Sequence, residues 1–256
     1  EIFGFLGPSG AGKTTLQKIM TGMITAYQGS VKVDGMECRK RTPAFYEEIG
    51  VDFEFPALYE KLTAKQNLLY FASLYRKPCL PPEDSLERAG LERDADKKVS
   101  CFSKGMRSRL AFLRALQHDP RFLFLDEPTS GLDPVSRDEL LEIFLQLAQD
   151  EGISILFSTH ITSDLEKCAD HIVYLRRGEV AADADADALR ARYRTAALTA
   201  AQRDAAPEGL LLGCKREREG FSALLRAEDA PRLGADTAPA SLEDIMVHLE
   251  KEDGGL

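Results

Sequence analysis

The chain has 256 residues, 44% of them hydrophobic, which is enough for one large domain or one domain with a small appendage and a real core. With 33 basic against 42 acidic residues its net charge is −9, which argues against a role in coating nucleic acid. Five singly spaced cysteines, Cys38, Cys79, Cys101, Cys168 and Cys214, fit reduced thiols better than a disulfide framework or a zinc site. No stretch reaches the roughly 18 to 20 apolar residues that span a bilayer.

The chain opens on "EIFGFLG", a short apolar strand from Ile2 to Leu6 already running into a glycine-rich loop, and this reads as a protein whose N-terminal part precedes the sequence given. "GPSGAGKTT" follows as a loop, and the periodicity predicts a helix over Leu16 to Met23. "GSVKVDG" (Gly29 to Gly35) alternates as an exposed strand. Helical spacing recurs over Leu62 to Tyr75, Pro81 to Leu91 and Gly105 to Leu116. "RFLFLDEPTSGLDP" then presents a buried parallel-type strand ending in acids, with a helix from about Val135 to Gln149, and "ISILFSTH" is a second such strand. "HIVYLRRGEVAADADADALRARY" gives another strand, a Gly178 turn, another short strand and a small helix, and "AADADADA" (Ala181 to Ala188) within it is low in complexity and reads as a soluble connection. These alternations predict an α/β sheet with helices on both faces, and from about Thr195 a small, separately organised tail.

Gly7 to Thr14 matches G-x-x-x-x-G-K-[ST] between a strand and a helix, the context this phosphate loop requires. The backbone of Gly7, Pro8, Ser9, Gly10, Ala11 and Gly12 can approach the phosphates of ATP, with Lys13 adding positive charge and the hydroxyls of Thr14 and Thr15 closing the loop. Thr14 is the candidate Mg²⁺ ligand there. Asp126 and Glu127 end a buried strand, where an open α/β sheet places its ligand. Asp126 suits Mg²⁺, and Glu127 suits a general base that polarises the attacking water.

With this loop, "FSKGM" (Phe102 to Met106), "DEPTSGLDP" (Asp126 to Pro134) and "STH" ending at His160 follow in an order and spacing that resemble the ATPase subunits of ABC transporters, from Glu1 to about Tyr193. The resemblance implies a P-loop NTPase fold: a mostly parallel sheet in a RecA-like core, a helical subdomain inserted at about 57–118, and an accessory region at 194–256. It implies that Ser103 and Gly105 grip the γ-phosphate of an ATP held by a second subunit, that Asp133 crosses the dimer, and that His160 is the switch histidine at the γ-phosphate. The family's Mg²⁺-reaching glutamine aligns with Glu54 in "IGVDFEFPALYEKLTAKQNL", so a third acid joins Asp126 and Glu127. Lys104 and Met106 depart from the usual Leu-Ser-Gly-Gly-Gln signature, and the family's adenine-stacking aromatic residue would precede Glu1.

The tail with "SLEDIM" is most similar to the exporter branch that includes antibiotic and multidrug efflux pumps. The implied partners are a second ATPase subunit and separate transmembrane permease subunits, without nucleic acid. The implied location is peripheral, on the cytoplasmic face of the membrane. A soluble ABC-type ATPase not coupled to transport is the alternative, against which stand the absence of a long coiled coil and of a second ATPase half from this sequence.

Overall fold

The structure, a computed structural model, describes residues 1–53 and 58–252. Glu54 therefore lies outside the described residues. The chain divides into two compact units, residues 1–160 with 175–179, and residues 161–174 with 180–256.

The first unit contains β1 (Ile2–Leu6), α1 (Lys13–Met20), β2 (Lys32–Val33), β3 (Met36–Glu37), α2 (Pro43–Tyr46) and β4 (Ile49–Asp52). It continues through α3 (Ala64–Ala72), α4 (Pro82–Arg88), α5 (Lys104–Leu116), β5 (Phe122–Asp126), α6 (Pro134–Gln149) and β6 (Ser154–Thr159). Its main strands lie in the order β4-β5-β6-β1, and every pairing is parallel. Parallel strands covered on both faces need continuous apolar runs, and Leu123, Leu125, Ile155 and Phe157 are completely buried. The α6 face of Leu140, Leu141, Phe144 and Leu147 completes this core, with the Phe144 ring 5.4 Å from Phe112 and 5.7 Å from Phe157.

A separate apolar cluster organises the helical stretch after β4. It gathers Leu68, Leu86, Leu91, Val99, Phe102, Leu110 and Leu113, and full burial of each such side chain stabilises by roughly 1.5–3 kcal/mol. Thr63 and Gln66 form a reciprocal capping box at the head of α3. The C-terminal half of α5 belongs to the core: a Cβ at Gly50 would fall 2.1 Å from the Ala115 carbonyl oxygen, so only glycine lets β4 approach this helix.

The helices expected over Leu62 to Tyr75 and Pro81 to Leu91 are shorter, at Ala64–Ala72 and Pro82–Arg88, and two further differences from the sequence expectation have a local cause. The helix after the phosphate loop starts at Lys13, because Gly12 holds a left-handed φ of 106° immediately before it, and ends at Met20. The exposed strand expected over Gly29 to Gly35 is instead the short hairpin β2–β3, whose turn uses Asp34 and Gly35 at φ 50° and 73°. Both central residues of this tight turn need positive φ, and an Asp-Gly pair supplies it.

After β6 come α7 (Thr162–Cys168), β7 (His171–Arg176), β8 (Glu179–Asp185), α8 (Ala186–Ala191), β9 (Tyr193–Leu198) and α9 (Ala200–Ala205). β10 (Gly213–Arg216), β11 (Phe221–Arg226), α10 (Ala230–Leu233), β12 (Thr237–Pro239) and α11 (Leu242–Glu252) complete the chain. The short strand and small helix expected after the Gly178 turn are present, but the soluble-connection reading of "AADADADA" is corrected, since residues 181–185 end β8 and residues 186–188 open α8. Alternation buries Ala184 and turns Asp183 and Asp185 toward His171, so the period of two is structural. In the second unit an antiparallel sheet of order β10-β11-β9-β12 packs around Ala196, Leu198, Ala223 and Leu225. Buried His248 of α11 donates from Nδ1 to the Asp244 carbonyl at 2.8 Å and lies 3.3 Å from the Ser222 hydroxyl.

Candidate functional site

The loop between β1 and α1 wraps the Lys13 ammonium. Lys13 Nζ donates to the carbonyls of Gly7 at 2.7 Å and Pro8 at 3.2 Å, and lies 3.8 Å from Glu127 Oε1. Burial holds its pKa below the ordinary lysine value, and the carboxylates of Glu127 and Asp126 oppose that shift. Thr14, on the first turn of α1, donates to both oxygens of Asp126 at 2.8 and 3.0 Å. A threonine hydroxyl against a strand-end carboxylate is a hard-oxygen donor set, which fits Mg²⁺. Among the described residues no group of three or more His, Cys, Asp or Glu is placed to hold a metal ion.

Neighbouring groups steady these two acids. Ser158 is the register partner of Asp126 across β5 and β6, and its hydroxyl donates to the same carboxylate. Gln17 reaches from α1 to the Leu125 carbonyl at 3.0 Å and ties the helix to β5. Glu127 holds a left-handed φ of 53°, rare for a residue with a side chain, and its N–H donates to the Ser158 carbonyl at 3.0 Å. His160 Nδ1 donates to Glu127 Oε2 at 2.8 Å. Lys13, Thr14, Glu127, Ser130 and His160, with Ser9–Gly12 and Thr15, line one cavity of about 310 Å³.

Ser103, Gly105 and Asp133 form a second group. Ser103 caps α5, its Oγ accepting from the Met106 N–H at 3.2 Å, and Asp133 caps α6 by accepting from the N–H groups of Val135 and Ser136 at 3.1 Å each. The Ser136 hydroxyl donates to Asp133 at 2.7 Å, and this bond leads the hydrogen bonds that lower the aspartate pKa. A Cβ on Gly105 would stand 3.6 Å from Ser136 Oγ, so the heads of the two helices are neighbours. None of these three residues lines the Lys13 cavity of the same chain.

A family profile described as "ABC transporter" matches residues 1–130. The chain belongs to the ABC transporter family. This ABC protein is 43% identical over 182 residues to the fluoroquinolones export ATP-binding protein of Mycobacterium tuberculosis (strain CDC 1551 / Oshkosh), covering 71% of this chain and 60% of that protein. It is 37% identical over 197 residues to the bacitracin transport ATP-binding protein BcrA of Bacillus licheniformis, covering 76% of this chain and 64% of that one. The chain thus spans about 60% of the length of these curated relatives. Among solved structures, a dimeric post-hydrolysis state of the ATP-binding cassette MJ0796 bound to ADP and Pi superposes with a TM-score of 0.66 at 27% identity, covering 72% of this chain and 85% of that one. CbiO1 from Clostridium perfringens, part of the ABC transporter complex cbiONQ, gives 0.63 at 28% identity over 72% and 77%.

Sequence reasoning missed Gln17, Ser158 and Ser136. Ser158 carried a signal: it lies two residues before His160 on an apolar strand, so it shares that residue's side of the sheet. Ser136 is the third residue after Asp133, a capping position. Gln17 lies four residues after Lys13, one turn along α1.

Proposed function

We propose that this ABC protein binds ATP with Mg²⁺ on its Gly7–Thr15 loop, hydrolyses it as one of two ATPase subunits, and drives export through separate transmembrane subunits at the cytoplasmic face of the membrane. The observation that carries this reading is the convergence of Lys13, Thr14, Glu127 and His160 around one cavity, with Asp126 bonded to Thr14. Lys13 would exchange its carbonyl partners for phosphate oxygens, and the exposed N–H groups at the head of α1 would add their own positive end. Glu127, held in place by backbone strain and by His160, would take the proton of the attacking water. Thr14, Asp126 and Glu54 would hold Mg²⁺, which when bound neutralises charge developing on the phosphates.

Ser103, Gly105 and Asp133 would act on the nucleotide of the partner subunit, which accounts for their distance from the Lys13 cavity of their own chain. The ATPase domain is assigned to 1–193, with its helical subdomain at about 57–118, and the accessory region to 194–256. The dimeric cassette bound to ADP and Pi supports the dimer, and the export and transport names of the relatives support the coupling. The decisive experiment combines nucleotide binding and sedimentation in the full-length Glu127→Gln protein. Mg-ATP is expected to drive dimerisation; Lys13→Ala is expected to abolish binding; Ser103→Arg is expected to abolish only the dimer. Loss of monomer ATP affinity in Ser103→Arg equal to that of Lys13→Ala would reject the trans arrangement.

A further inference from the structure

Arg107 and Arg114 stand seven residues apart on α5, two turns and about 10 Å along one face. Arg107 Nη1 donates to Glu60 Oε1 at 2.7 Å, while its Nε and Nη2 donate to the carbonyls of Phe102 and Ser100 at 3.3 Å each. Arg114 Nη2 donates to the Val51 carbonyl at 2.9 Å and to Asp52 Oδ1 at 3.2 Å. Its guanidinium also lies 5.1 Å from the Phe71 ring centre. Asp52 ends β4, and Glu60 lies on the far side of residues 54–57. One helix therefore holds the chain on both sides of that segment, and the same helix is capped by Ser103.

The surrounding backbone stiffens the Arg107 end. The N–H groups of Ser100 and Val99 donate to the carbonyls of Glu60 and Leu62 at 3.0 Å each, and Ala64 N–H donates to Lys97 at 3.2 Å. Residues 60–64 and 97–100 therefore run as a zipped pair, and Phe102, next to Ser103, is buried in the same helical cluster. At the other end Arg114 and Asp52 are 13% and 11% exposed, so that pair belongs to the sheet core. The Arg107–Glu60 pair is 34% and 60% exposed, where an ion pair adds little to stability. A planar guanidinium that spends two donors on the bend at Ser100 and Phe102 and a third on Glu60 fixes geometry more than it adds energy.

We propose that Arg107 and Arg114 are positioning residues that yoke the head of α5 at Ser103 to the chain on both sides of residues 54–57, and so set where Ser103 meets the nucleotide of a second subunit. The inference rests on Ser103 acting on phosphate in trans. Asp52, on β4, refers the helix to the sheet that carries Asp126; Glu60 refers it to the helical cluster that carries Ser103. Neither pair bonds to Lys13 or Thr14, but Asp52, Glu60 and Arg107 line a cavity of about 300 Å³ together with Asp126 and Glu127, so monomer ATP affinity has to be read beside the dimer.

The test uses the full-length Glu127→Gln protein and reads Mg-ATP-driven dimerisation by analytical ultracentrifugation, with monomer ATP affinity and melting temperature measured beside it. Arg107→Glu and Glu60→Arg are each expected to weaken dimerisation by about tenfold or more. Monomer ATP affinity should be unchanged, and the double swap Glu60→Arg/Arg107→Glu should recover most of the loss. Asp52→Asn, which preserves size where an Arg114 variant would risk misfolding, should also weaken the dimer while monomer ATP affinity holds. Normal dimerisation of Arg107→Glu, or a folded double swap that recovers nothing, overturns the inference. Ser103→Arg separates the two layers. If it dimerises normally, the trans reading falls and the inference with it; if it fails to dimerise while Arg107→Glu succeeds, only the yoke is wrong.

Discussion

His160 Nδ1 donates to Glu127 Oε2 across 2.8 Å, so the proton of a neutral His160 sits on Nδ1 and the ring orientation is set by the proposed general base. An ionised carboxylate only accepts, which leaves Nε2 as the nitrogen for a further partner. Glu127→Gln should therefore retain ATP binding while turnover falls by about 10²–10⁴-fold. His160→Ala, which leaves Lys13 and the loop intact, should lower kcat more than it raises KM. Steady-state ATPase rates with a parallel binding isotherm check both, and equal turnover in Glu127→Gln and its parent would remove Glu127 from the chemistry.

Ser158 and Thr14 donate to one carboxylate, that of Asp126, from β6 and α1. Ser158→Ala removes an orienting donor from a candidate Mg²⁺ ligand without touching the phosphate loop. The expected result is an increase of about 10–100-fold in the Mg²⁺ concentration needed for half-maximal activity. Titration of ATPase activity with Mg²⁺ at saturating ATP reads this directly. An unchanged Mg²⁺ requirement would mean that Asp126 does not depend on Ser158 for its orientation.

Tyr59 and Tyr70 meet edge to face with ring centres 4.8 Å apart, yet both are exposed, as are Leu69 and Leu74. The Asn67 carboxamide clamps the Tyr59 backbone through both its N–H and its carbonyl, at 2.8 and 3.0 Å, so this aromatic corner is held rigidly. If separate transmembrane subunits are coupled to this chain as proposed, this exposed aromatic corner is the surface we expect one of them to dock on. A cysteine placed at Tyr59 should crosslink to that subunit in the assembled transporter. Repeated failure in a complex that still transports would exclude this surface from coupling.

Much of this site was legible because its chemistry is local in sequence. The loop Gly7 to Thr15, the strand-end acids Asp126 and Glu127, and His160 are written as short motifs, and the fold brings Lys13, Glu127 and His160 into one cavity. What could not be read were contacts set by register and by helix approach: Ser158 beneath Asp126 depends on β5–β6 pairing, and Glu60 under Arg107 joins residues 47 positions apart. The Asp-Gly turn was visible but hidden in an alternating run, which masked the β2–β3 hairpin. The Ala-Asp alternation of β8 reads in sequence as a connection, because a strand built from alanine lacks the bulk that usually marks a buried face.

That strand carries the last prediction. His171 Nε2 lies 2.5 Å from Asp183 Oδ1 and its Nδ1 lies 3.2 Å from Asp185 Oδ1, so the imidazole faces a carboxylate at each nitrogen. Both contacts are satisfied only when both nitrogens carry protons, and the Asp183 hydrogen bond leads the causes that raise the His171 pKa above its ordinary value. A group whose folded pKa is raised contributes stability fully below its unfolded pKa, about 6.5 for histidine, and loses it as pH rises through the folded value. His171→Gln should therefore destabilise the protein more at about pH 5 than at about pH 9, with a difference below about 1 kcal/mol because both aspartates are largely exposed. Chemical denaturation of the wild type and His171→Gln at the two pH values measures the difference, and Asp183→Asn/Asp185→Asn should reproduce it. An equal loss at both pH values would show that His171 contributes packing alone.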